Sequence, residues 1–445
     1  MKKIVFFLVV TGFGFCNIAQ AQSGSIKLNR NLKVLRPVAG VDNPVIGVQT
    51  PNATVSTKAV LEDPVTAVTK YDLQTNGAVL PHLYRYPDGT MASVATMAHV
   101  DNFSDRGTGY NYYNGTSWGT PPSIRIEGVR TGWPSYAPLG ANGEIVVTHE
   151  SATGPLVICK RNTKGTGAWT ETELPPPPDA VGTGMIWAKV VTNGTPRTNI
   201  HIISLTGPTA NGGALYQGLD GALVYNRSLD GGANWDGWQI LDGMTSDEYL
   251  GFSADSYAWA EPKGETLAFT YGESWMDQAV MKSTDNGATW TKTVIWPCPY
   301  NKWDGGAVTD SFFCVDGTMS AALDNSGKVH VTMGLQRANG HEDGSKYWFP
   351  FTDGLLYWNE DMPTWPEVLD TAELNAGGNL IGWVQDTNVW YAQATELAYY
   401  YVSMSSFPTM SIDEYNNIFV VWWELRLYAI MTTLCFATSL QEHGQ

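Results

Sequence analysis

The sequence predicts an all-β protein built from repeated four-stranded antiparallel units, and three observations lead there. An apolar strand, a turn on Gly or Asn and a second strand recur six times. A second hairpin, whose turn ends in Trp, alternates with the first over most of the chain. The composition supports both, with 46 glycines for turns, 12% aromatic residues for strands and only 16% charged residues, too few for a disordered chain.

The first type of hairpin starts with Leu80–Tyr86, turns at Pro87-Asp88-Gly89 and returns over Thr90–Thr96. It recurs as Pro134–Leu139 and Glu144–His149 around Gly140–Gly143, and as Ala188–Ser204 around Asn193-Gly194. Three more copies run Phe252–Tyr271 around Lys263-Gly264, Met319–Met333 around Asn325–Gly327, and Pro408–Trp423 around Asn416-Asn417. Each joins β-branched and aromatic runs through residues that tolerate positive φ. The second type reads Tyr110–Trp118, Val157–Trp169, Leu223–Trp235, Ala279–Trp290 and Leu355–Trp365. Self-similarity at about this spacing is the mark of a repeat architecture.

Two of the Trp turns share a sharper pattern. Ser228, Asp230, Gly232 and Trp235 match S-x-D-x-G-x-x-W, and so do Ser283, Asp285, Gly287 and Trp290. The Asp carboxylate accepts N–H bonds within its own turn, the Gly takes a conformation closed to side chains, and the Trp packs beneath. With these turns the chain resembles the sialidase-like Asp-box (BNR repeat) β-propellers over roughly residues 70–424. The segments Asp105–Tyr113 and Arg130–Ser135 resemble a narrower group of secreted propellers from Bacteroidetes-type bacteria. The resemblance implies a six-bladed β-propeller of four-stranded antiparallel blades, with seven blades as the alternative. Radial repetition of that kind protects sheet edges.

The ends lie outside the repeat. Lys2 and Lys3, the apolar run Ile4–Phe15 and Ala19-Gln20-Ala21 read as a signal peptide over 1–21, so the expectation is export. Cys16 follows a bulky Phe15, which argues against lipoprotein processing. Residues 22–65 read as a linker, 66–424 as the propeller and 425–445 as an atypical tail that breaks the pattern. If the ring closes, Val68–Leu73 is the strand available to complete the last blade.

A formal net charge of −17 argues against nucleic acid or an anionic membrane surface as partner, since both need a basic face. It is compatible with carbohydrate, extracellular protein or calcium. No EF-hand loop or paired His/Cys spacing points to a metal, and no cofactor is expected. No later apolar run is long enough to span a bilayer, so membrane insertion is not expected, and the chain is expected to be a monomer. Cys298 and Cys314 are the one close pair of cysteines, and the spacing leaves a disulfide between them open.

The family resemblance implies exo-sialidase chemistry: an arginine clamp for a carboxylate, an acid/base carboxylate and a Tyr nucleophile assisted by Glu. Tyr84-Arg85-Tyr86-Pro87 has the outline of the family's first arginine motif. Its register is wrong, because Pro87 belongs to the Gly turn and Arg85 therefore falls at the far end of the strand. Counting from Pro81, the clamp position is Val79. There is no G-x-S-x-G elbow either. What remains is the face formed by loops after each second strand, with Arg106, Trp133, His149, Glu150, Glu273, Trp275, Arg337 and His341 as candidate ligand-binding residues. Asp101, Asp105, Asp277, Glu342, Asp343 and Trp348 belong to the same loops, and Arg130 lies nearby. Trp beside carboxylate and guanidinium is a sugar-binding pattern; the competing reading is ordinary loops with Trp packed between sheets. The expectation is a non-catalytic binder of glycan or protein, with a divergent glycoside hydrolase using Glu150, Glu273 or Asp277 as the alternative.

Overall fold

A computed structural model describes residues 64–349, 352–383, 401–424 and 433–438. The signal peptide and residues 22–63 of the linker lie outside the described residues. The described residues fold into six antiparallel sheets that follow one another in sequence. The first contains Leu83–Arg85, Met91–Met97 and Gly107–Tyr113. The second contains Gly132–Leu139, Gly143–His149, Leu156–Arg161 and Thr170–Leu174. The third has Met185–Asn193, Asn199–Thr206 and Leu223–Ser228; the fourth has Tyr257–Trp259, Leu267–Glu273, Met276–Ser283 and Thr291–Trp296. The fifth pairs Phe312–Leu323, Val329–Gly340, Leu355–Asn359 and Leu380–Gly382, with Lys346–Trp348 added beside Val329–Gly340. The sixth has Ser405–Ile412, Ile418–Glu424 and Thr433–Thr438.

The six hairpins of the first type are all present, whereas among the described residues the Trp-turn hairpins form fully only in the second and fourth sheets, so the units are not uniformly four-stranded. In the first sheet the fourth strand shrinks to one bridge between Tyr113 and Trp118. Pro121 and Pro122 follow and have no N–H to continue a ladder. In the third it shrinks to the bridge between Tyr225 and Gln239. In the fifth, a short helix over Thr371–Ala376 precedes the last strand, with the Asp370 carboxylate capping Ala372 N and Glu373 N. That helix is an addition to the expected pattern, although Asp370 and Glu373 carry a capping-box spacing. The tail supplies a third strand, Thr433–Thr438, in register with Ile418–Glu424. Val68–Leu73 forms no strand in the last sheet. Lys70 N donates to Ala98 O and Asn111 Nδ2 to Thr66 O, so this stretch lies along the first sheet.

Successive sheets are stitched together near their first strands. Tyr136 N donates to Pro81 O, Val190 N to Ser135 Oγ, and Tyr257 Oη to Trp187 O. Ser274 Oγ then donates to Val315 O, and Met410 N to Ser320 Oγ. The interior between them is apolar, with Ile145, Val190, Ile202, Phe269, Val331 and Leu356 all buried. The arrangement is consistent with a propeller.

A second repeat is not legible in the sequence. At the start of four first strands, and midway along that of the fifth sheet, one residue sits in the left-handed region: Trp133 (φ 54°), Trp187 (52°), Asp255 (59°) and Phe407 (49°), with Gly317 (83°) in the fifth. In four of these sheets the register shifts there by a bulge, at Gly132/Ser135, Ile186/Lys189, Val315/Met319 and Ser406/Thr409. A bulge re-aims the side chains beside it, and only at Gly317 is the conformation free of steric cost.

The two Asp-centred turns form as expected. Asp230 Oδ1 accepts from Ala233 N, Asn234 N and Ser228 Oγ, and Ser228 Oγ accepts from Gly232 N. Asp285, Ser283, Gly287 and Thr289 repeat the scheme. These bonds hold the carboxyls of both Asp residues down at about 2, well below the usual range. One of their Trp side chains also joins sheets. Trp290 lies edge-on to Tyr225 of the third sheet at 5.0 Å and to Phe269 of its own at 5.4 Å.

Candidate functional site

The candidate residues fall into two groups at the loop end of the sheets, and four of the eight, Arg106, Trp133, His149 and Trp275, are buried. In the first group the Arg106 guanidinium lies 5.2 Å from the Tyr71 ring centre and 5.4 Å from that of Trp133. Its Nε donates to Thr131 O, and burial together with Arg130 lowers its pKa. Trp133 stacks on His149 at 5.6 Å, and Trp187 N donates to His149 Nδ1. Burial, reinforced by Arg106, pushes the His149 pKa down to about 3, so the ring is neutral. Arg106, Trp133 and His149 are thus a packed stack between the first, second and third sheets. Arg130 Nε is held by Phe103 O, and Asp105 accepts from His99 N and Val100 N in a local turn. Asp101 pairs with Lys70 on the surface. Glu150, half-buried at the edge of this group, makes no side-chain hydrogen bond among the described residues.

The second group spans the fourth and fifth sheets. Trp275 is buried, stacked on Trp303 at 4.6 Å and edge-on to Phe312 at 5.0 Å. Lys346 lies over its ring, and Trp348 Nε1 donates to Ser274 Oγ. Arg337 donates to Ser311 Oγ and lies over Phe349 at 4.6 Å. His341, Glu342 and Asp343 are exposed in one turn, where Asp343 accepts from Ser345. Asp277 is committed to structure, accepting from Cys298 N and Tyr249 Oη. Glu273 is half-buried and, like Glu150, makes no side-chain hydrogen bond among the described residues. Cys159, Cys298 and Cys314 are buried free thiols, so Cys298 and Cys314 are not bridged. No group of three or more His, Cys, Asp or Glu suited to a metal occurs among the described residues.

Arg85 ends its strand beside the Pro87-Asp88-Gly89 turn and is exposed, at the end away from these loops, as its register requires. Val79 is 42% exposed and apolar.

The middle of the molecule holds a site the sequence does not announce. Lys189, fully buried on the first strand of the third sheet, donates through Nζ to Tyr257 O at 2.6 Å, Ala78 O at 3.2 Å and Asp255 O at 3.4 Å. Asp255 Oδ2 accepts from Asn76 N at 2.9 Å and from Asn76 Nδ2 at 3.1 Å. Burial lowers the Lys189 pKa to about 8, against the pull of Asp255; burial raises the Asp255 pKa, against the pull of Lys189. Ala78 N donates to Asp255 O, and a Cβ on Gly77 would stand 3.0 Å from Gly317 O. Since Gln74 is bonded to Thr96 of the first sheet, the stretch 74–80 reaches from the first sheet to the starts of the fourth and fifth. Its one sequence signal is a lone lysine inside the apolar run Met185–Val191.

A concavity of about 590 Å³ lies at the opposite end, on the side of the Asp-centred turns, between the first and second sheets.

No protein-family model and no curated protein matches this chain. Among solved structures it is similar to a protein of unknown function from Dyadobacter fermentans, at 11% identity and TM-score 0.40, covering 84% of this chain and 96% of that one. It is also similar to an ulvan lyase, a polysaccharide lyase, at 11% identity and TM-score 0.45, covering 82% of each chain. A third is the Trypanosoma rangeli sialidase, at 12% identity and TM-score 0.40, covering 82% of this chain and 55% of that one. Such identities transfer no residue roles. No helix among the described residues is long and apolar enough to cross a membrane.

Proposed function

We propose that this chain is an exported, non-catalytic six-bladed β-propeller that binds a glycan or an extracellular protein through the loops following its second strands. The ring reading is supported by the convergence of the first, third, fourth and fifth sheets on Lys189 and residues 74–80. The observation that carries the functional reading is the state of the arginines. Arg106, Arg130 and Arg337 each bond a local oxygen, Thr131 O, Phe103 O and Ser311 Oγ, and Arg106 and Arg337 also lie against aromatic rings. A carboxylate clamp needs guanidinium groups free to bond bidentately. Binding is left to the exposed parts of the loops, around Arg337, His341 and the half-buried carboxylates Glu150 and Glu273.

The test is a glycan array and a fluorogenic-glycoside screen on the mature chain, with Glu273→Ala and Arg337→Ala as controls. Saturable binding weakened by both variants, with no turnover, is the expected result. Hydrolysis of a sialoside or another glycoside, abolished by Glu273→Ala or Glu150→Ala, would overturn the reading.

A further inference from the structure

The concavity between the first and second sheets has a makeup that the loop-face reading does not absorb. Its floor is Tyr110 and Arg161, its walls Tyr112, Trp118, Asn114 and Lys164. The floor is rigid: Arg161 pairs with the buried Glu144, which also accepts from Tyr110 Oη, Tyr136 Oη and Gly165 N. The guanidinium lies 4.4 Å from the Tyr110 ring centre and 4.3 Å from that of Trp169. Lys164 is likewise committed, to Asp88, Thr90 Oγ1 and the Tyr86 ring. Both cations are therefore neutralised by carboxylates of the protein itself, and an anionic ligand would gain little from them.

The walls are different. The Trp118 indole N–H, the Tyr112 hydroxyl and the Asn114 side-chain amide N–H make no hydrogen bond among the described residues. The Tyr112 ring is held in place by Gly165, where a Cβ would come within 2.4 Å of it. Trp118 is fixed by its bridge to Tyr113 and by ring contact with it at 5.7 Å. The groove thus offers preset aromatic faces and unspent neutral hydrogen-bonding groups, with no net charge of its own. Sugar rings present apolar C–H faces and neutral hydroxyls, which are the complement of that lining.

From this lining we infer that the groove is a second binding site, distinct from the loop face, for a neutral oligosaccharide. Trp118 and Tyr112 form the stacking platform, and the Tyr112 hydroxyl and Asn114 amide are the orienting groups.

The mature chain would be titrated with cellohexaose, laminarihexaose, maltohexaose, mannohexaose and hexagalacturonate, following tryptophan fluorescence and heat. The expected result is saturable binding of at least one neutral hexasaccharide, unchanged by about 0.5 M NaCl. Trp118→Ala should weaken it about ten-fold or more and Tyr112→Phe about three-fold, in line with the loss of a stacking platform and of one hydrogen bond. Arg337→Ala should leave it unchanged, which separates this site from the loop face. Tyr112→Phe retains the packed ring, so it remains informative if Trp118→Ala does not fold. The inference is overturned if no neutral hexasaccharide binds, if hexagalacturonate binds more tightly, or if neither variant alters the affinity.

Discussion

His149 and His201 are sealed inside the protein and His82 is half-buried with its Nε2 enclosed, and burial pushes their pKa values down to about 3, 3 and 4. The folded chain therefore keeps all three neutral. As pH falls below the ordinary imidazole value of 6.5, the unfolded chain takes up their protons first. Stability is present above pH 6.5 and is lost progressively down to about 3. Each tenfold difference in proton affinity is worth about 1.4 kcal/mol, which makes the loss ~3–5 kcal/mol for each ring at most. Asp316 works in the opposite sense. Burial raises it to about 6, so it adds stability as pH falls from 6 towards its ordinary 3.8. The three rings pull the urea midpoint down between about pH 6.5 and 4, while Asp316 and the other carboxyls raised by desolvation, Asp255, Glu127 and Glu261, offset part of that fall. In His149→Gln the drop should be shallower, whatever the variant's stability at neutral pH; an unchanged slope would remove His149 from the account. At this scale the sequence says little. By residue type His149, Trp133 and Arg106 belong on an accessible loop face, whereas the fold stacks them between sheets. Residue type alone does not distinguish a Trp that meets a sugar from one that meets another ring.

At the scale of elements, the two Asp-centred turns place the same Gly against different neighbours. Gly232 and Gly287 both have positive φ, 84° and 79°, so any side chain there is strained. A Cβ on Gly232 would first meet Lys160 Nζ at 3.0 Å, the far end of a flexible side chain. One on Gly287 would stand 2.0 Å from Tyr225 Oη, on a rigid ring of the preceding sheet. Gly232→Ala should thus cost little beyond the conformational penalty, about 1 kcal/mol. Gly287→Ala should cost roughly 2–4 kcal/mol, since the turn must also lift off its neighbour. Urea unfolding of the two variants distinguishes the cases, and equal losses would mean that the second turn does not bear on the third sheet. The hairpins themselves are legible, because Asn-Gly and Pro-Asp-Gly turns between alternating apolar runs admit few other structures. The left-handed residues are not, because Trp133, Trp187 and Phe407 are types that normally avoid that region, and only the tertiary fit holds them there. The neutral-lined groove escapes the sequence for a related reason: its walls come from turns of two different sheets, and of these residues only Trp118 stands out, as the end of a turn.

For the molecule as a whole, Lys189 is the point on which several sheets depend. Methionine at this position preserves most of the aliphatic volume but leaves the carbonyls of Ala78, Asp255 and Tyr257 without their shared donor. The expected loss is about 3 kcal/mol or more, the range for a buried charged partner removed from its acceptors. Because these acceptors belong to the crossing stretch and the fourth sheet, the loss should appear as one cooperative transition displaced to lower denaturant. A Lys189→Met protein with unchanged global stability and only local protease sensitivity in the third sheet would show that the centre does not tie the sheets together.

The contact between Asn76 and Asp255 also joins residues 179 positions apart. Chain closure over such a span carries a large entropic cost that local hairpins do not bear. Synthesis releases Asn76 long before its acceptor exists, so the stretch 74–80 must wait until more than half of the protein has emerged. Asn76 and its neighbours, made early and flanked by residues that already lie along the first sheet, therefore complete their contacts late. Until then Lys189 lacks the acceptors that bury it, and the nascent sheets depend on their own hairpins alone.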